Sequence, residues 1–412
     1  MSLAEALAAL AKRYPGESGA RQPVHTVYGG AQLFKSDTTV KLGALARRAL
    51  EEHGGEPADF ARAIGINEAH AEAIYARVVE KLKREPVEDF RIDFEDGYGN
   101  RTDDEEDGHA AAAAREVAAG MKNGTLPPFI GIRIKPFSQE LMPRAVRTAE
   151  MFLTTLMEAA GALPPWFVVT LPKIQVVEQV TALADLFDAL EPKLGLAAGA
   201  LKLEFMIETT QSIPILPQLP DAARGRAVAA HFGTYDYTAS CNITAAHQRM
   251  DHPACDFARH AMQVAYAGTG LWLSDGATNI MPVGDRATVQ AAWRLHVKHI
   301  HHSLINAYYQ GWDLNPAQLP TRYAAVYCFF LDGLDAATER LRNFIQKAGQ
   351  ATLVGDVFDD AATGQGLLNF FLRALNCGAI TEEEALATGL TLDELRSRSF
   401  VKILQGRRSV TH

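Results

Sequence analysis

The stretch Phe90-Arg91-Ile92-Asp93-Phe94-Glu95-Asp96-Gly97 alternates apolar and charged residues, and that alternation decides the fold. A β-strand turns successive side chains to opposite faces, so Phe90, Ile92 and Phe94 share one face and Arg91, Asp93 and Glu95 share the other. Two more stretches obey the same rule. Ile130-Gly131-Ile132-Arg133-Ile134-Lys135 sets its isoleucines against Arg133 and Lys135, and Lys202-Leu203-Glu204-Phe205-Met206-Ile207-Glu208 again has one apolar and one charged face. Strand-like runs begin near Phe90, Phe129, Trp166, Leu201, Val228 and Gly270, 27 to 42 residues apart, which is room for one strand, one helix and two loops. Residues 24–28, closing on Gly29-Gly30, supply one further run before them, and residues 311–316 one after, which makes eight.

Strands that alternate with helices imply a parallel sheet. Eight such units, with no glycine-rich dinucleotide fingerprint after the first, point to an α/β fold of the (β/α)8 TIM-barrel type rather than a doubly wound sheet. The expected organisation is an N-terminal helical arm over residues 1–20, a catalytic barrel over 21–320 and a helical C-terminal extension over 321–412.

In a barrel the apolar strand faces meet the outer helices, so the charged faces must point inward. Unpaired buried charge is costly, so these residues must pair across strands or hold an ion. Arg91 and Lys202 come early in their strands and are expected as partners in the barrel floor. Glu95, Asp96, Arg133, Lys173, Glu208, Asp236 and Asp275 fall at the C-terminal strand ends, where barrel enzymes place their active sites. Glu208 and Asp236 end successive strands and offer two carboxylates, and Mg²⁺ commonly takes one or two carboxylates, leaving its other positions to water and substrate oxygens. The pattern allows a Mg²⁺ site for an anionic oxo compound. It equally allows a Glu208 that merely pairs with Arg133 or Lys173.

The composition agrees with a globular protein: 412 residues, 48% hydrophobic and 22% charged. Forty Lys and Arg stand against 49 Asp and Glu, a net charge of −9, which argues against nucleic acid as a partner and leaves a small anionic substrate reached through local cations. Cys241, Cys255, Cys328 and Cys377 show no CxxC spacing and read as reduced thiols of a cytoplasmic protein. The opening MSLAEALAALAKR carries Glu5 and no long apolar run, so no signal peptide is expected, and no stretch approaches the ~20 apolar residues of a membrane span. The run Asp103-Asp104-Glu105-Glu106-Asp107 suits a solvated helix start. His296, His299, His301 and His302 are expected as a surface or interface patch.

Six segments, in order over residues 24–320, resemble the citrate lyase β-subunit/HpcH–HpaI aldolase family, which includes malyl-CoA lyases. They are Ile92-Asp93-Phe94-Glu95-Asp96-Gly97, Gly131-Ile132-Arg133-Ile134, Leu171-Pro172-Lys173-Ile174, Met206-Ile207-Glu208-Thr209, Phe232-Gly233-Thr234-Tyr235-Asp236-Tyr237 and Leu314-Asn315-Pro316-Ala317-Gln318. The resemblance implies Mg²⁺, with Mn²⁺ as an alternative, held by Glu208 and Asp236. It implies that Arg133 binds the substrate's oxygens and takes part in catalysis, with Glu95 and Asp96 supporting the metal's waters and the arginine. Lys173, Gly233 and Thr234 complete the expected substrate site. The implied activity is metal-dependent lyase or aldolase cleavage or formation of a C–C bond through an enolate, on a hydroxy acid, a 2-oxo acid or its CoA thioester. Coenzyme A as part of the substrate stays open. The first strand lacks the family's arginine-serine opening, and Asn315 stands where a histidine is usual, so citryl-CoA or malyl-CoA specificity is not carried over.

Near the C-terminus, Phe358-Asp359-Asp360-Ala361-Ala362-Thr363 resembles the segment of malate synthases whose aspartate is the general base. Asp360 is the matching residue, and a helix cap is the competing reading. A malate-synthase-like condensation of acyl-CoA with glyoxylate is therefore the second functional reading, and a non-catalytic barrel with a binding role the third. The resemblance also implies a homo-oligomer, a trimer or hexamer, in which the C-terminal segment can cover a neighbour's site.

Overall fold

Eight parallel strands close into a barrel in sequence order, each hydrogen-bonded to the next and the eighth to the first. The computed structural model describes residues 2–16, 19–346, 352–354, 357–359, 361–397, 399, 402–403 and 407. The strands are β1 (His25–Gly30), β2 (Asp89–Asp93), β3 (Phe129–Arg133), β4 (Phe167–Leu171), β5 (Lys202–Ile207), β6 (Ala227–Phe232), β7 (Trp272–Ala277) and β8 (Gln310–Asp313). Each starts within two residues of its expected place. The (β/α)8 barrel expected from the alternating pattern is thus the observed fold. β8 is shorter than expected because Asn315 caps the turn Pro316–Gln318, its side chain accepting the Ala317 amide at 2.9 Å.

The apolar strand faces point outward and carry the core. Phe90, Ile92, Ile130, Ile132, Val169, Leu171, Leu203, Phe205 and Ile207 are all buried under the surrounding helices. Fully burying a side chain of this size contributes roughly 1.5–3 kcal/mol, so the outer layer holds the barrel together and leaves the interior free for polar chemistry. Residues 31–84 form three helices before β2, Thr38–His53, Pro57–Ile64 and Ala71–Arg84. The arm helix Leu3–Arg13 has a Ser2–Glu5 capping box and buries none of its residues. The acidic run opens the helix Asp103–Asn123 behind a Thr102–Glu105 capping box. Among the described residues no helix is long and apolar enough to cross a membrane.

The expected division after residue 320 falls in the first turn of a continuous helix, Leu319–Gln346. Its first half packs on the helices Ala71–Arg84 and Arg286–Ile305 and so completes the outer ring. Its second half runs on to meet the helix Ala361–Cys377, beyond a short hairpin of β9 (Thr352–Val354) and β10 (Val357–Asp359). Barrel and extension share this one rod.

Candidate active site

The C-terminal ends of β2 to β5 and the turn after β6 gather six of the seven strand-end charges in one place. Arg133 and Asp93 end neighbouring strands and are register partners. Arg133 donates from Nε to Asp93 Oδ1 at 2.7 Å and from Nη2 to Asp93 Oδ2 at 2.6 Å, a two-pronged fork. Its Nη1 lies 3.3 Å from Glu95 Oε2 and 4.0 Å from Asp96 Oδ2. Lys173 donates from Nζ to Glu95 Oε1, reaches Asp96 Oδ2 at 3.1 Å, and stands 3.7 Å from Asp236 Oδ1. Its backbone amide donates to Glu208 Oε1 at 2.8 Å. Lys173 achieves both contacts from a left-handed backbone, φ 51°, which costs a non-glycine residue about 1–2 kcal/mol.

Glu208 follows β5 directly and is 1% exposed. Gly233 makes room for it: a Cβ there would lie 2.6 Å from Glu208 Cβ. Asp236 stands on the first turn of the helix Thr234–Ser240 rather than at a strand end, because β6 stops at Phe232, and its side chain is 41% exposed. Thr234, expected to bind substrate, is buried instead with its hydroxyl on Met250 Sδ at 3.1 Å, because it packs beneath the helix start beside Gly276.

Burial pushes the Glu208 carboxyl up to about 8; Lys173 works against the shift, and the neighbouring Asp236 charge adds to it. Burial also raises Glu95, against the opposing pull of Arg133 and Lys173. For Lys173 burial favours the neutral amine, but Glu208 and Glu95 outweigh it and hold the ammonium protonated. Five carboxylates (Asp93, Glu95, Asp96, Glu208 and Asp236) thus share the mouth with two cations, Arg133 and Lys173. That surplus of hard oxygen donors around a buried, reluctantly ionised carboxyl fits a divalent cation of the Mg²⁺ type. Among the described residues no group of three or more His, Cys, Asp or Glu forms a closed metal cage. Mg²⁺ needs none, since one or two carboxylates suffice when water and substrate fill the rest.

The floor below is different. Arg91 pairs with Asp89, and its Nη2 donates to Glu204 Oε2 at 2.6 Å; Thr170 donates to Glu204 Oε1 at 2.8 Å. Arg91 is a floor partner, as expected. Lys202 is not, since its ammonium sits at the rim and reaches only Gly225 O at 3.4 Å. Asp275 is the one strand-end charge that misses the mouth. In β7 it is Ser274 that lines up with inward-facing His231, so Asp275 turns outward, to Arg259 at 3.0 Å and Ser303 Oγ at 2.6 Å. The histidine patch is likewise corrected. His296 and His299 are buried on the inner face of their helix, on Asp313 at 3.0 Å and Thr278 at 2.8 Å, and only His301 is exposed.

Four residues of this centre escaped the sequence reading: Asp93, Tyr28, His231 and Trp312. For Asp93 the signal was present, since alternation already put it on the charged face beside Arg91. Tyr28 stacks on Arg133, its ring centre 4.9 Å from Cζ. The strands bearing Tyr28 and Trp312 lack a charged face that would have announced them. Asp360 lies outside the described residues.

A family model described as "Domain of unknown function (DUF6986)" matches residues 3–403, and the chain belongs to that family. No curated protein matches the chain by sequence. The fold is shared with solved structures. A citrate lyase from Burkholderia xenovorans LB400 is similar at TM-score 0.61 and 19% identity, over 90% of this chain and 97% of that one. A Haloferax volcanii malate synthase is similar at 0.53 and 13%, over 93% and 98%. CitE from Mycobacterium tuberculosis is similar at 0.51 and 14%, over 87% and 99%.

Proposed function

We propose that this member of the DUF6986 family is an enzyme, a divalent-metal-dependent carbon–carbon lyase or aldolase acting on an anionic hydroxy acid, 2-oxo acid or its thioester through an enolate. One observation carries the reading. A buried Glu208, pushed up to about 8, shares a barrel mouth with Asp236 and with a guanidinium locked by Asp93. Glu208 and Asp236 would hold Mg²⁺ or Mn²⁺, which supplies a Lewis acid for the substrate's oxygens. Arg133 supplies a fixed positive fork for a carboxylate and for charge that develops beside it. Glu95, raised by burial and touched by Arg133 and Lys173, would hold or give up a proton at the mouth. Lys173 adds a second cation for an anionic substrate.

The ligands of two fold relatives agree with this reading: magnesium, acetoacetate and coenzyme A in CitE, and magnesium with glyoxylate in the malate synthase. An apolar recess of about 180 Å³ opens between β1 and β8, lined by Val27, Leu33, Phe34, Leu314, Pro316 and Leu319 among others. Its described lining includes no lysine or arginine, which favours an apolar substituent over a phosphate-bearing coenzyme in that recess.

Calorimetric titration with Mg²⁺ tests the site. Glu208→Gln and Asp236→Asn are each expected to lose at least about tenfold in affinity, and undiminished binding in both rejects the assignment. A panel of 4-hydroxy-2-oxo acids and hydroxyacyl-CoAs then sorts substrates. Acetyl-CoA with glyoxylate, followed by free-thiol release, tests the malate-synthase-like alternative suggested by Asp360. Turnover at background across all of these with Mg²⁺ and Mn²⁺ would favour the non-catalytic alternative.

A further inference from the structure

We infer that Tyr28 is a positioning residue for Arg133, braced by Trp312 and His231, so that a ring stack inside the barrel sets the attitude of the substrate-binding fork. The inference rests on the reading of Arg133 as the group that takes a carboxylate. Asp93 pins one edge of the guanidinium through Nε and Nη2. A planar group held along one edge can still swing out of plane, carrying Nη1 with it. Tyr28 closes one side of that swing, with its ring centre 4.9 Å from Arg133 Cζ.

Tyr28 is itself held from behind. Its ring lies 4.7 Å from that of Trp312, tilted by 39°, and its hydroxyl is 3.5 Å from His231 Nδ1. Trp312 Nε1, which can only donate, gives its proton to the same Nδ1 at 3.0 Å. Nδ1 therefore carries a lone pair, and the proton of the neutral imidazole sits on Nε2. That atom faces Glu204 Oε2 at 3.1 Å. Glu204 in turn is clamped by Arg91 and Thr170. A braced column thus runs from the floor to Arg133 through β1, β6 and β8, and none of its three ring-bearing residues is a charge of the mouth.

Two substitutions in the full-length chain separate ring from hydroxyl: Tyr28→Leu removes the cation–π face, and Tyr28→Phe keeps it. The probe is oxalate, a planar dianion, titrated calorimetrically with Mg²⁺ present. Tyr28→Leu is expected to bind oxalate about tenfold more weakly and Tyr28→Phe within about threefold of the parent. Mg²⁺ affinity without oxalate stays level in both, which an indirect collapse of the mouth would not permit. A ligand-free readout accompanies it: solvent exchange of the Arg133 Nε proton by ¹⁵N-arginine NMR, slow in the parent and Tyr28→Phe and faster in Tyr28→Leu. Equal exchange in parent and Tyr28→Leu, or a Tyr28→Phe protein as weak as Tyr28→Leu, overturns the inference. A parent that binds no oxalate overturns the carboxylate reading instead, and the exchange rates still judge Tyr28.

Discussion

Glu204 and Glu208 lie on the same face of the β5 segment, two periods of the strand repeat apart, both almost wholly buried, and their chemistry diverges. Burial pushes both carboxyls up. At Glu204 the charge and hydrogen bonds of Arg91 more than reverse this and hold it well below the usual range. At Glu208 Lys173 is the main opposing charge, Asp236 adds to burial, and the carboxyl ends at about 8. The floor sets one guanidinium, Arg91, between two carboxylates, whereas the mouth sets two cations among five. What marks the mouth inside this barrel is therefore the larger excess of acid, since charge as such occurs at both levels.

The comparison can be broken most forcefully from below. Arg91→Met strands Asp89 and Glu204 in the interior, and the expected loss is about 3–5 kcal/mol in denaturant unfolding. A loss under about 1 kcal/mol would mean the floor is not held by its pairs. pH sharpens the contrast with opposite signs. The folded value of Glu208 is raised from an ordinary 4.5 to about 8, so its contribution is full below 4.5 and is lost as pH rises through about 8. Glu204 is lowered, so its contribution is present above 4.5 and lost as pH falls through its folded value. In chelator, the parent should lose stability relative to Glu208→Gln as pH climbs from 5 to 8.5, at up to about 1.4 kcal/mol per pH unit. Parallel melting curves across that range would remove the distinction between the two glutamates. The smallest effect concerns the space between strands. Gly233→Ala crowds Glu208 and is expected to cost about 1–3 kcal/mol in thermal unfolding.

Much of this was legible in the sequence for a physical reason. Where one strand face is apolar and the other charged, as in β2, β3 and β5, the two-residue period assigns every side chain to core or interior, and Glu95, Arg133 and Glu208 follow. β7 reads Trp272-Leu273-Ser274-Asp275-Gly276-Ala277, with no clean alternation, so nothing local told that Asp275 turns outward. His296 and His299 look polar in sequence, yet their helix face packs on the barrel, where Asp313 and Thr278 supply partners. Thr234 depended on where β6 stops, and strand ends are set by tertiary packing. Tyr28 and Trp312 were hidden because an aromatic residue on an inward face reads the same as one on an outward face.

The rod Leu319–Gln346 limits where its far end can act. Near Val326 and Phe330 it passes the N-terminal rim of the barrel, where Val24, Trp272 and Tyr309 gather, and it continues to Phe344, against which Gly364 packs. Fourteen residues at 1.5 Å each carry that end about 20 Å past the rim, on the side away from Glu208. The helix Ala361–Cys377, whose Gly364 packs on that end, is thereby held at the barrel's N-terminal end rather than at its mouth.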